Sequence, residues 1–165
     1  MQTVFFKGTP CHTAGEFPVV GRKAPDFRLT DQNLNEISLK DYAGKRVVLN
    51  IFPSLYTDVC ATSVRRFNKE ASDLVNTVVI CVSVDLPFAA KRFCTANGIE
   101  NVVVASAFRA PEFLNNYGVQ LVDGPLKGLL ARSVVVIDTD GTVRYAQMVE
   151  EITNEPDYKA ALSVL

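Results

Sequence analysis

Arg46-Val47-Val48-Leu49-Asn50-Ile51-Phe52 is a near-continuous apolar run, and Pro53-Ser54-Leu55-Tyr56-Thr57-Asp58-Val59-Cys60 leads from it into a segment of different period. From Asp58 to Leu74 the apolar residues Cys60, Val64, Phe67, Ala71 and Leu74 recur at helical spacing, while Arg65, Arg66, Lys69, Glu70 and Asp73 lie off that stripe. A buried strand therefore passes into an amphipathic helix. Three further segments carry strand character: Val75 to Asp85, Ser133 to Asp138 and Thr142 to Val149. The first three of the four strands are rich in β-branched residues, as in a sheet covered on both faces. Thr139-Asp140-Gly141 is a turn signal that makes the last two an antiparallel hairpin.

A second helix is expected between Asp85, an N-cap residue type, and Gly98, a C-cap type, with Cys94 in its last turns. Shorter helices are expected over Pro111 to Tyr117 and from Pro156 onward. The early pieces Val4 to Phe6, His12 to Ala14 and Phe27 to Thr30 are short, turn-separated and read as peripheral. The order describes a three-layer α/β domain spanning residues 1–165. A chain of 165 residues buries roughly two thirds of its unfolded surface and needs no disulfides for stability.

With 21% charged residues and a formal net charge of −1, the chain offers no electrostatic footprint for nucleic acid or an anionic membrane. The N-terminal residues lack a basic segment followed by a long apolar run, and no stretch reads as a membrane span. A reducing cytoplasm is the expected location. There, Cys11, Cys60, Cys81 and Cys94 are redox-catalytic, metal-binding or buried rather than structural bridges. A zinc site would need clustered ligands, but no C-x₂₋₄-C pair occurs and His12 is the single histidine. Asp138-Thr139-Asp140-Gly141 begins like a calcium loop, yet Val143 and Val149 stand where that loop needs Gly and Glu. No cofactor or metal is expected.

Among the cysteines, Cys81 lies inside an apolar strand and reads as core, while Cys11 and His12 follow Pro10 in an early turn and read as peripheral. Cys60 stands apart. With Thr57 as N-cap, Cys60 is the third helical residue, near amides that lack intrahelical acceptors. Those donors and the partial positive charge of a helix start favour S⁻ over SH. Cys60 also heads the apolar stripe, so only part of it should meet solvent. An inert buried cysteine is the plain alternative, common for this residue type.

The Pro-x-x-x-Thr-x-x-Cys spacing from Pro53 to Cys60 resembles the peroxiredoxin superfamily, and the chain looks closest to its bacterial thiol peroxidase subfamily. The similarity continues through Ser63-Val64-Arg65-Arg66-Phe67-Asn68, Asp85-Leu86-Pro87-Phe88-Ala89, Arg92-Phe93-Cys94, Gly124-Pro125-Leu126 and Glu155-Pro156-Asp157-Tyr158. The resemblance implies a thioredoxin-like fold with an N-terminal β-hairpin and reduction of hydrogen peroxide and alkyl hydroperoxides. It implies Cys60 as peroxidatic cysteine, Cys94 as resolving cysteine in an intramolecular disulfide, Thr57 and Arg132 as the groups that bind and polarise the peroxide, and Pro53 as a shield for the sulfur. It further implies thioredoxin as reductant and a homodimer.

Read by itself, Arg132 is equally a solvated charge at a strand end, and packing beside Phe93 is the lesser alternative for Cys94. Two departures from the family stand out: Tyr56, where relatives often carry Asp, and Asp58, a carboxylate close to the thiol. A thiol-disulfide oxidoreductase is less consistent, because Cys60 is followed by Ala61-Thr62-Ser63 without the second cysteine of a C-x-x-C pair. A glutathione-peroxidase-like enzyme would carry a catalytic Trp, and the chain has none. A non-catalytic redox sensor using the same cysteines is the alternative from another class.

Overall fold

The computed structural model describes residues 1–165. The four expected strands form at β5 (Arg46–Ile51), β6 (Thr77–Ser83), β8 (Ser133–Ile137) and β9 (Val143–Met148). Strand β6 starts later than the apolar pattern suggests because Asn76 turns the chain with a left-handed φ of 51°. Three more strands complete a seven-stranded sheet: β3 (Arg28–Asp31), β4 (Glu36–Ser38) and β7 (Val103–Ser106). The sheet order is β4-β3-β7-β6-β5-β8-β9. Its centre, β5, β6 and β7, is parallel, and β8, β9, β3 and β4 add antiparallel flanks. The segment around Phe27 to Thr30 is thus part of the sheet, contrary to its peripheral reading. Four residues are too few to show a period.

Alternation along the central strands divides the core in two. Val47, Leu49, Ile51, Ile80, Val82, Val135 and Ile137 face a cluster with Phe113 and Tyr117 of α3 (Pro111–Tyr117). Val48, Phe52, Val79, Cys81, Val134 and Val136 face the opposite way. They pack on Cys60, Val64 and Phe67 of α1 (Asp58–Ala71), on Ala90, Phe93 and Cys94 of α2 (Pro87–Asn97), and on Tyr158 and Ala161 of α4 (Tyr158–Leu162). Helices on both faces of a mixed sheet with a parallel centre give the thioredoxin-like three-layer arrangement. Helix α2 ends as expected at Gly98, whose φ of 62° lets its amide donate to the Cys94 carbonyl. Its N-cap is Leu86 rather than Asp85.

Outside the main sheet, β1 (Thr3–Phe6) and β2 (Thr9–His12) form an antiparallel hairpin. Phe5 ties it to the chain beyond β9, its amide donating to the Glu150 carbonyl and its carbonyl accepting from Ile152. Val4 and Cys11 pack with Leu121, Ala131 and Ile152 in a third cluster. Cys11 is consequently buried, a correction to its peripheral reading: the hairpin docks, and docking depends on residues more than a hundred positions away. No helix is long and apolar enough to cross a membrane.

Candidate active site

Strand β5 and the loop Phe52 to Thr57 deliver α1 at the carboxyl edge of the parallel strands, where open α/β sheets place their sites. Thr57 occupies the N-cap position with extended backbone (φ −106°, ψ 148°), and Cys60 is the third helical residue. The first backbone bond of the helix runs from the Ala61 amide to the Thr57 carbonyl at 2.9 Å. The amides of Asp58, Val59 and Cys60 are left as donors, as helix starts leave them. Thr57 does not cap them with its side chain. Its hydroxyl donates instead to the Ser54 carbonyl at 3.3 Å.

The Cys60 sulfur has one polar neighbour on a side chain, Arg132, whose Nη2 donates to it at 3.3 Å. Arg132 lies immediately before β8 and is only 2% exposed, so it is not the solvated strand-end charge that sequence alone allows. Its Nε donates to the Ile152 carbonyl at 2.7 Å, which fixes the plane of the guanidinium. Nη1 is buried without a partner. An unmet donor of a buried cation costs more than the roughly 1–3 kcal/mol of a neutral group, and it stands ready for an acceptor that enters.

A cavity of ≈ 450 Å³ opens at this point. Pro53, Thr57, Asp58, Val59 and Arg132 line it, and Phe6, Leu126, Leu129 and Ile152 give it an apolar wall. Pro53, Thr57 and Arg132 thus line the same cavity. Cys60 itself is fully buried, more than the partial exposure expected of it, because Arg132 and the apolar cluster around α1 close over the sulfur. The apolar wall was not foreseen. It comes from the N-terminal hairpin, the segment before β8 and the chain after β9, which only the tertiary fold brings here.

Cys94 lies on α2 in the same apolar cluster as Cys60, and all four cysteines are free thiols. Burial pushes the Cys94 thiol up, and pushes the Cys81 thiol up to about 12. Cys81 is core, as its strand position predicts. A polar relay runs below α1: Asn50 Nδ2 donates to Ser63 Oγ at 3.2 Å, and Ser63 Oγ donates to the Cys60 carbonyl at 2.8 Å. His12 pairs with Asp123 at 2.6 Å near Cys11. The Asp123 carboxyl is held below the usual carboxylate range by its hydrogen bonds from His12.

Asp85 also proves to belong to the site region. In place of capping α2, its carboxylate accepts from Ser54 Oγ (2.9 Å), the Leu55 amide (2.7 Å) and Ser83 Oγ (2.8 Å). The competing acceptor role wins because three donors converge on it, where a cap would supply one or two.

A single cysteine in the first turn of the helix after the central strand, with an arginine on its sulfur and no second cysteine in the same turn, defines a thiol redox protein of the thioredoxin-like fold. The chain belongs to the Redoxin family, whose model matches residues 19–162. It is 54% identical over 165 residues to the thiol peroxidase of Corynebacterium glutamicum, covering 100% of this chain and 99% of that one. The crystal structure of a peroxiredoxin-like protein from Aquifex aeolicus is similar with a TM-score of 0.93 and 41% identity, covering 99% of this chain and 96% of that one. A thiol peroxidase from Chromobacterium violaceum shares the fold at a TM-score of 0.87 and 22% identity, with coverage of 98% and 94%.

Proposed function

We propose that the chain is a thiol-dependent peroxidase acting as one domain, in which Cys60 reduces hydrogen peroxide and organic hydroperoxides. The single observation that carries the assignment of roles is the Arg132 fork held against the Cys60 sulfur. The Cys60 thiolate attacks the terminal peroxide oxygen, the O–O bond breaks, and RO⁻ leaves and takes a proton to become ROH. Cys60 is left as a sulfenic acid. Negative charge passes from sulfur to the leaving oxygen, so donors fixed around both ends lower the barrier. Arg132 Nη1 and the Cys60 amide are the donors at the cavity, the Thr57 hydroxyl, which donates to the Ser54 carbonyl, can accept from the peroxide O–H, and Pro53 excludes water from the sulfur.

The thiol of Cys94 then attacks the sulfenic sulfur, forming the Cys60–Cys94 disulfide and releasing water. The Cys94 side chain is buried as folded, so the end of α2 must loosen before its sulfur reaches Cys60. A dithiol protein, thioredoxin, reduces the disulfide. The chain works in the cytoplasm as a homodimer, and the exposed Tyr56, Leu86 and Phe88 beside the site support a contact with a second copy.

Steady-state assay with hydrogen peroxide and with an organic hydroperoxide, in the presence of thioredoxin, its reductase and NADPH, tests the proposal. Many equivalents of peroxide consumed per chain are expected. Consumption that stops at one equivalent, with the reductant active, would mean a redox sensor.

A further inference from the structure

The segment that carries the peroxide-reactive cysteine and the segment that carries its partner thiol are joined by one carboxylate. Asp85 sits between the end of β6 and the start of α2, half-buried. One of its oxygens accepts from Ser54 Oγ; the other accepts from the Leu55 amide and from Ser83 Oγ. Ser54 in turn organises the rest of the loop: its hydroxyl accepts from the Tyr56 amide at 3.2 Å, and its carbonyl accepts from the Thr57 amide and hydroxyl, each at 3.3 Å. Thr57 is the N-cap of α1, so the chain of bonds runs from Asp85 to the turn that holds Cys60.

We infer that Asp85 is a positioning residue that holds the Pro53 to Thr57 loop in its peroxide-reactive form, and that it thereby sets how oxidised Cys60 divides between disulfide and sulfinic acid. The inference rests on the peroxidase reading above. Two fates compete for the Cys60 sulfenic acid. Condensation with the Cys94 thiol forms S–S and releases water, and needs loop and helix to part. Attack on a second hydroperoxide transfers one oxygen, giving sulfinic acid and ROH, and needs the same loop geometry as the first attack. A carboxylate bonded to the loop on one side and anchored beside α2 on the other favours the closed form. Losing it disfavours both peroxide steps and leaves condensation free.

An amide can keep all three contacts, with the Ser54 bond reversed. In Asp85→Asn the carbonyl oxygen can accept from the Leu55 amide and Ser83, while the NH₂ donates to Ser54 Oγ. Asp85→Ala cannot. Misplacing reacting groups by about 1 Å costs on the order of 100-fold. The rate constant for sulfenic acid formation, measured by competition with a reporter peroxidase, is therefore expected to fall on the order of 10- to 100-fold in Asp85→Ala. Asp85→Asn should stay within about threefold of the parent, because its geometry survives. Mass spectrometry after a fixed excess of peroxide should show less Cys60 sulfinic acid per disulfide in the alanine variant.

Ser54→Ala, which removes the loop hydroxyl while leaving Asp85 in place, should shift both readouts in the same direction and carries the test if Asp85→Ala does not fold. Sulfenic acid formation and sulfinic fraction unchanged in the folded variants, with the parent active, would overturn the inference. So would an asparagine variant as impaired as the alanine. A parent chain that does not react with peroxide would instead overturn the peroxidase reading itself.

Discussion

Arg132 makes the clearest prediction at the level of single residues. It is buried, its orientation is set by the Ile152 carbonyl, its Nη2 donates to the sulfur and its Nη1 has no partner. Arg132→Gln should slow sulfenic acid formation by about 10² to 10³, the usual loss when one fixed donor to a developing oxyanion is removed. Competition kinetics on a variant shown by circular dichroism to be folded gives the number. A loss under threefold would mean that Arg132 has only a structural role.

Cys81 gives a pH prediction. Its folded value of about 12 lies above the unfolded 9.0, so stability is complete below pH 9 and declines as pH rises toward 12, where the unfolded thiol ionises and the folded one does not. Between pH 9 and 10 this one thiol should remove about 1 kcal/mol. Urea unfolding of the parent and Cys81→Ala at both pH values measures it as the part of the decline that the variant lacks. An equal decline in both would contradict burial of Cys81. The residue types of the site were legible in sequence because spacing alone set Pro53 in the loop, Thr57 at the cap and Cys60 in the first turn of one strand-to-helix junction. The roles of Asp85 and Cys11 were not, since both depend on partners far along the chain: Asp85 turned from cap to acceptor for Ser54 and Leu55, and Cys11 was buried by the docking of its hairpin.

At the scale of elements, the two helices that carry Cys60 and Cys94 are well placed to open locally. Neither N-cap side chain accepts from the first amides of its helix, and the Cys94 carbonyl is held by the amides of Gly98 and Ile99 in the helix's terminal turn. Terminal turns open at low free-energy cost. Oxidation to the disulfide should raise amide exchange over residues 57–63 and 88–98, with little change in β5 and β6. Equal protection in the reduced and oxidised protein would mean that the two thiols bond without any opening.

The long elements were readable for a physical reason: β5, β6 and β8 carry near-continuous apolar runs, and α1 is long enough for a helical period to emerge. Strands β3, β4 and β7 have four, three and four residues, and their place comes from pairing with neighbours rather than from their own pattern.

On the scale of the whole molecule, the sheet separates two apolar clusters, and the chemistry belongs to one of them. Cys60, Cys81 and Cys94 all lie in the cluster between the sheet and α1, α2 and α4, whereas Cys11 belongs to the cluster under the N-terminal hairpin. The account therefore depends on which thiol reaches Cys60 once it is oxidised. Peptide mapping by mass spectrometry, after one equivalent of hydroperoxide and without reductant, answers this directly. The expected result is a single intramolecular link between the peptides carrying Cys60 and Cys94, lost in Cys94→Ser, where Cys60 remains as sulfenic acid. A link from Cys60 to Cys81 or Cys11, or oxidation that leaves Cys60 reduced, would contradict the account.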